Sequence, residues 1–338
     1  HPAPIPNCFC RRTSWESGQD GSRRFKIDAA SHEGDPADVV RTVDVEAAMA
    51  HAMQTLAQCA EILGEQAAAQ HWRARAEEHV RRTRSMFFDG WFRDVDGRTD
   101  TPIILEDYCD VMMLLPVTLG IATPEQTAAC AQRLAYFCSH PGHWLEWPSF
   151  MMFFADAAWN AGQRALIAET IAATADRVYS RTTARTVMPA GEHVPQLPAP
   201  YHYRIPGVAC EFWPVHDARG GCENYGWGAT LPLHIISSII GFRVDEAGRC
   251  LIAPNLPAAL RSPGRVYHIT HLCWRNLTFD LTLSCGDDGA LATLLAWRAP
   301  KPCVVSIKGA DGRTLATSAR ASRGTFNTAE PVFECVVH

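Results

Sequence analysis

The chain has 338 residues, 47% of them hydrophobic and 20% charged, enough to bury one large core or two ordinary ones, which excludes a peptide, a coil or a disordered tail. Its 31 Lys and Arg stand against 36 Asp and Glu for a net charge of −5. No basic run or aromatic-interleaved basic stripe offers a track for a phosphate backbone, so nucleic acid is not an expected partner. The longest apolar stretches, 111–119 and 231–240, fall far short of the roughly 20 residues a membrane-crossing helix needs, and a soluble protein without a membrane partner is expected.

The sequence opens at His1 in a Pro-rich segment, with no charged and then apolar leader. The compartment stays open, with the cytoplasm ahead of secretion. The 13 cysteines are scattered without the paired spacing of a zinc site, and Cys8-Phe9-Cys10 is too close and too isolated to make one. They read as ordinary thiols that pack as small hydrophobes. No His-x-x-x-His or His-Glu-x-x-His spacing occurs, and the P-loop, dinucleotide and Gly-x-Ser-x-Gly signatures are absent. No metal and no cofactor are expected.

From 42 to about 84 the apolar period is helical. Met49, Met53, Leu56, Ala60 and Leu63 define one face, Gly64 stops that helix, and Trp72, Ala76, Val80, Thr83 and Phe87 define a second that returns as a hairpin. Further helices are predicted over 104–119, 124–138, 149–161, 164–180 and 229–241, about seven in all. Between them lie Gly-, Pro- and aromatic-rich loops at 89–102, 140–148 and 187–228. After Gly241 the period changes: Leu277, Phe279, Leu281 and Leu283 alternate with Thr278, Asp280 and Thr282, the signature of a strand. Similar runs at 266–272, 291–297, 304–307 and 332–337 predict an all-β module from residue 244 to 338. Asn276-Leu277-Thr278 is a formal glycosylation sequon, discounted because it falls in a predicted strand. Helical hairpins in series can form a solenoid, but no period near 34 residues is present and the loops are long, which favours a helical barrel with a site at one rim.

Two clusters mix carboxylates, aromatics and glycine. The first is Ser14-Trp15-Glu16-Ser17-Gly18-Gln19-Asp20-Gly21-Ser22-Arg23-Arg24-Phe25; the second runs from Cys210-Glu211-Phe212-Trp213 through His216 to Glu223-Asn224-Tyr225-Gly226-Trp227-Gly228. Two carboxylates four apart and an Arg pair can set one acid against a substrate while their neighbours hold its hydroxyls.

The first cluster resembles the Glu-Ser-Gly-x-Asp motif of the inverting (α/α)6-barrel glycoside hydrolases, the six-hairpin group that includes trehalases and the family 63 α-glucosidases. The second is similar to their late motif, and the resemblance extends over about residues 13–243. It implies a mainly α fold, an (α/α)6 toroid over residues 1–243, followed by a small β-sandwich-like domain over 244–338 of the kind that closes several bacterial glycosidases. Such a barrel has twelve helices against about seven here, and its acid motif follows several helices, so the expectation is a barrel incomplete at the N-terminus.

The resemblance implies that Asp20 is the general acid and that Glu211, or its competitor Glu223, is the general base of an inverting hydrolysis of an α-linked glycoside or oligosaccharide. Inversion needs a protonated carboxyl on the leaving oxygen and a carboxylate about 6.5–9.5 Å away, with a water between. Burial or a like charge must raise the acid's pKa, and Trp15, Glu16 and Phe25 are placed to supply that. Trp15, Trp144, Trp147, Trp213 and Trp227 lie in the loops that carry the carboxylates and are candidate platforms for sugar rings. Glu16 is a further substrate-binding candidate, and Arg24 and Asp44 are either hydroxyl or carboxylate binders or partners in a structural salt bridge. The segment 146–152 does not reproduce the trehalase pattern, so trehalose is not supported as substrate. Two alternatives remain: a non-catalytic carbohydrate-binding or scaffold protein, and a sugar epimerase or lyase on the same barrel, using His216 or Tyr225. Oligomeric state is not legible.

Overall fold

A computed structural model describes residues 11, 24, 39–104, 111–139, 151–179, 187–188, 201–202, 230–244, 250–309, 313–328 and 334–337. They divide into two compact units, one within His1–Gln163, Arg185–Arg204 and Ala209–Tyr225, the other within Arg164–Ala184, Ile205–Val208 and Gly226–His338. The first unit is helical with short hairpins; the second combines helix with antiparallel sheet.

In the first unit β1 (Val40–Arg41) leads into α1 (Val43–Ile62), and the chain returns as α2 (Gln66–Ser85). Gly64, at φ +77, makes the turn. The predicted hairpin is therefore present, but its seam differs from the apolar face expected. The buried apolar positions of α1 are Val43, Ala47, Ala50, Met53, Ala57 and Ala60, whereas Leu56 is 43% and Leu63 73% exposed. A row of alanines lets α2 approach closely through Ala69, Ala76, His79 and Thr83, and close backbone approach outweighs the side-chain size that marked the other face.

After α2 comes β2 (Phe87–Phe88), which pairs antiparallel with β3 (Trp91–Phe92). Asp89 at φ 53 and Gly90 at φ 75 form the connection; both central residues in the left-handed region define the type I′ turn that Asp-Gly favours. β4 (Val95–Asp96) pairs with β1 on one side and with β5 (Thr101–Pro102) on the other. This places residues 93 and 94 next to the start of α1.

The helix expected over 104–119 is shorter. Residues 103 and 104 are not helical, residues 105–110 lie outside the described residues, and a 3-10 turn over Val111–Leu114 precedes α3 (Leu115–Thr118). Pro116 explains the break: without an N–H it suits the first turn of a new helix and not the interior of an old one. α4 (Pro124–Ser139) and α5 (Met151–Asn160) follow close to their expected limits, and β6 (Val187–Met188) pairs with β7 (Tyr201–His202). Ala47, Ala50, Leu115 and Ile121 form a core cluster that Val80, Leu119 and Phe153 cover.

The second unit holds α6 (Arg164–Tyr179) and α7 (Leu231–His234), the latter continuing as a π-helical stretch, Ile235–Ile240. Gly241 ends it at φ +74, and a Cβ there would lie 1.9 Å from the carbonyl oxygen of Ala253. Only glycine meets both demands. β8 (Phe242–Val244) then pairs with β9 (Cys250–Ile252). β10 (Val266–Trp274), β11 (Leu277–Cys285), β12 (Leu291–Cys303) and β15 (Ala321–Thr328) form a four-stranded sheet in the order β10-β11-β12-β15; β13 (Val305–Lys308) lies between β14 (Thr314–Thr317) and β16 (Glu334–Val337) in a second sheet. The alternation in β11 buries Leu277, Phe279, Leu281, Leu283 and Cys285, as its period requires. Asn276 is not within a strand: it is exposed in the turn between β10 and β11.

Candidate active site

The sequence-predicted residues Trp15, Glu16, Asp20, Trp144, Trp147, Glu211, Trp213, Glu223 and Trp227, with His216 and Tyr225 of the alternative reading, lie outside the described residues. Arg24 and Asp44 are described, and they meet. The Arg24 guanidinium donates from Nη2 to Oδ1 of Asp44 at 2.6 Å, with Arg24 1% and Asp44 2% exposed. Each is thus engaged by a protein partner of opposite charge.

Two further residues complete the cluster. Asp94 accepts from Arg24 Nε at 2.8 Å and from Nη2 at 2.9 Å, the forked geometry in which guanidinium binds carboxylate most strongly. Arg11 donates to Asp44 Oδ2 at 2.5 Å and to the hydroxyl of Thr42 at 3.1 Å. Two cations and two anions are therefore buried together, each with hydrogen bonds to the opposite sign, as burial of charge requires.

Secondary structure explains the placement. Thr42, the residue before α1, has extended dihedrals but makes no side-chain cap of its own; its hydroxyl serves Arg11 instead. Asp94 takes over, with Oδ1 accepting the Val43 N–H at 2.9 Å. A carboxylate there satisfies a free helix donor and interacts favourably with the positive end of the helix. The β2–β3 hairpin delivers Asp94 to that point.

Burial alone would raise the pKa of Asp44, but the Arg24 and Arg11 guanidiniums and their hydrogen bonds outweigh it and hold the carboxyl far below the usual carboxylate range. Asp44 therefore stays a carboxylate at neutral pH and has no proton to give. Its work is to hold.

Two residues further along α1, Glu46 is fully buried and its Oε2 lies 2.7 Å from Nδ1 of the buried His79 on α2. Its Oε1 has no hydrogen-bond partner among the described residues. Among the described residues no group of three or more His, Cys, Asp or Glu is placed to hold a metal ion, and no described helix is long and apolar enough to cross a membrane.

Sequence reasoning passed over Asp94, Arg11, Glu46 and His79. The Asp89-Gly90 pair between Phe87-Phe88 and Trp91-Phe92 was a signal for a two-residue hairpin. It would have lifted Asp94 out of a supposed loop, though not assigned its partners.

Known proteins share part of this arrangement's sequence. Residues 8–149 match the family model of the mannosylglycerate hydrolase MGH1-like glycoside hydrolase domain, a stretch that includes Arg11, the Trp15–Arg24 cluster, Asp44 and Asp94. That stretch is thus similar to a domain of glycoside hydrolase type, the class that the motif around Asp20 resembles. No curated protein matches the chain.

Solved structures are similar at a distance. The GH63 mannosylglycerate hydrolase from Thermus thermophilus in complex with Tris is 16% identical, with a TM-score of 0.40 over 59% of this chain and 46% of that one. The same hydrolase in complex with glucose is 16% identical, with a TM-score of 0.41 over 63% and 52%. A GH78 family rhamnosidase from a Bacillus species is 16% identical, with a TM-score of 0.40 over 73% and 22%. The chain thus spans about half the length of the mannosylglycerate hydrolase chains.

Proposed function

We propose that the protein hydrolyses an α-linked glycoside with inversion at the anomeric carbon. In this reading Asp20 is the general acid and Glu211 the general base, with Glu223 in that role if the late motif is shifted. Residues 1–243 belong to an (α/α)6 catalytic barrel of the trehalase and family 63 type, and residues 244–338 form a small β domain. Trp15, Trp144, Trp147, Trp213 and Trp227 present flat faces to the sugar, and Glu16 binds its hydroxyls.

The observation that carries the reading is the glycoside hydrolase family match over residues 8–149, which contains the whole Glu16-Ser17-Gly18-Gln19-Asp20 motif. In the reaction Asp20 gives its proton to the leaving oxygen as the glycosidic C–O bond breaks and the bonding pair moves to that oxygen. A water on the opposite face attacks the anomeric carbon and loses its proton to Glu211. Mannosylglycerate is a first candidate substrate because the matched family model carries that name; α-linked disaccharides are the second group to try.

The test replaces each carboxyl by its amide. Asp20→Asn and Glu211→Gln each lower hydrolysis by at least about 100-fold, the scale of lost acid–base catalysis, with circular dichroism unchanged. Activity retained in Asp20→Asn rejects the acid assignment. Activity retained in Glu211→Gln but lost in Glu223→Gln moves the base to Glu223. An inactive wild-type protein that still binds the sugars would fit the non-catalytic alternative.

A further inference from the structure

The four-stranded sheet of the second unit buries Leu277, Phe279, Leu281 and Leu283 on one face and leaves the alternate positions open on the other. The strand register fixes what stands on the open face. Thr278, Arg298 and Arg323 form one row across β11, β12 and β15, and Asp280, Ala296 and Thr325 form the next. Arg298 and Arg323 are therefore direct cross-strand neighbours, a position in which like charges repel. Arg298 donates from Nη2 to Asp280 Oδ2 at 3.2 Å, with its side chain 55% exposed. Arg323 is exposed and has no carboxylate partner among the described residues. We propose that the open face of this sheet binds an acidic glycan, with a carboxylate or sulfate group of the glycan held between Arg298 and Arg323.

The arginines call for an anion. An oxyanion between two guanidiniums replaces their repulsion by charge-assisted hydrogen bonds, which planar Arg forks make well with carboxylate and sulfate alike. No residue of the proposed acid–base pair takes part, so this binding stands or falls separately from the hydrolysis.

Asp280 selects the kind of anion. It lies one row from the arginines, about 7 Å along the strand. Its Oδ1 accepts the His271 N–H at 2.9 Å and its Oδ2 faces Arg298, and a carboxylate oxygen can accept a second hydrogen bond. A ligand lying across the face must then bring donors to Asp280 as well as negative charge to the arginines. A sugar ring carries hydroxyl donors beside its acid group. A phosphate backbone or a layer of lipid phosphates brings only further negative charge to that point, and Asp280 repels it.

Backbone geometry holds Asp280 in place. Between Ile269 and Leu272 β10 carries one residue more than β11 does between Leu281 and Phe279, a bulge in which His271 adopts φ 62. A positive φ is costly outside glycine, and the bond from the His271 N–H to Asp280 stabilises it. The same carboxylate thus anchors the bulge and orients Arg298.

The test is calorimetric titration of the full chain with an oligogalacturonate and with a heparin oligosaccharide. Maltohexaose is the neutral control; a single-stranded oligonucleotide and phosphatidylserine vesicles are the other anions. At least one acidic glycan is expected to bind at least about tenfold more tightly than the three comparison ligands. Arg323→Gln, which breaks no ion pair of the fold, and Arg298→Gln are each expected to weaken it at least about tenfold, the scale of a lost charged hydrogen bond. Tighter binding of the oligogalacturonate assigns a carboxylate and tighter binding of heparin a sulfate, and both outcomes uphold the proposal.

If neither acidic glycan exceeds maltohexaose, if the oligonucleotide or the vesicles bind as tightly, or if Arg323→Gln weakens binding by less than tenfold, the proposal is overturned. Should Arg298→Gln fail to fold, Arg323→Gln decides alone. Asp20→Asn, which removes no group of the sheet face, is expected to bind the glycan as wild type does, so a failed acid assignment and a failed sheet face are read separately.

Discussion

Replacing Asp94 by alanine probes the buried ion cluster at the residue that local sequence pattern does not mark. Asp94 is 1% exposed and accepts three hydrogen bonds, two from Arg24 and one from the Val43 amide. Its removal leaves the Arg24 guanidinium buried with Asp44 and Arg11, so two positive charges then share one carboxylate. Breaking a buried pair by removing one partner costs about 3–5 kcal/mol, and the lost helix cap adds roughly 1 kcal/mol. The two overlap, because the same carboxylate serves both, so about 3–5 kcal/mol is the expected total. Asp94→Asn keeps an acceptor for Val43 but loses the charge and the oxygen that accepts from Arg24 Nε, so its loss is smaller than that of Asp94→Ala by the retained helix cap, roughly 1 kcal/mol. Urea unfolding followed by tryptophan fluorescence gives the total, and hydrogen exchange of peptides covering 40–50 locates it. A loss below about 1 kcal/mol in Asp94→Ala, or exchange at the start of α1 that stays as slow as in wild type, refutes the reasoning, because such values belong to exposed pairs.

Three other outcomes are expected. Asp44 binds its proton more weakly in the folded chain than in the unfolded one, so its ion pairs contribute in full above the ordinary carboxylate pKa of about 3.9 and fade as pH falls below it; the stability gap between wild type and Asp44→Asn, measured by urea titration at successive pH values, should be constant above about pH 5 and narrow below about pH 4. Gly241→Ala should destabilise the second unit by more than about 2 kcal/mol, since the new Cβ meets the Ala253 carbonyl oxygen at 1.9 Å at a φ of +74; hydrogen exchange over 235–255 reads it. Burial pushes the Cys250 thiol up to about 12, so iodoacetamide at pH 8 should spare Cys250 in the native protein while labelling the exposed Cys59 and Cys273, as peptide mass mapping can show.

Periodicity found the helical hairpin, α4, α5, α6 and the strands around β11, because each of these is a local pattern that repeats within its own length. It misplaced the seam of α1. Large side chains at Leu56 and Leu63 signalled an apolar face, while the hairpin closes on Ala47, Ala50, Ala57 and Ala60, whose advantage is close approach and leaves little trace in hydrophobicity. The run over 104–119 looked continuous because Pro116 is apolar, although its missing N–H splits the segment. Residue chemistry singled out Arg24 and Asp44 and left open whether they bind substrate or each other; choosing between these needed coordinates, as ion pairing across 20 residues has no sequence signature. Asp94 and Arg11, 70 and 33 residues from their partners, were invisible for the same reason.

The central claim is hydrolysis with inversion, and the direct measurement is the anomeric configuration of the first sugar released. Wild-type protein is added to mannosylglycerate and to a set of α-linked disaccharides, and proton NMR spectra are recorded faster than mutarotation. The account predicts that the β anomer appears first and equilibrates to the mixture afterwards. First appearance of the α anomer, or no release of sugar from any of these substrates, contradicts it.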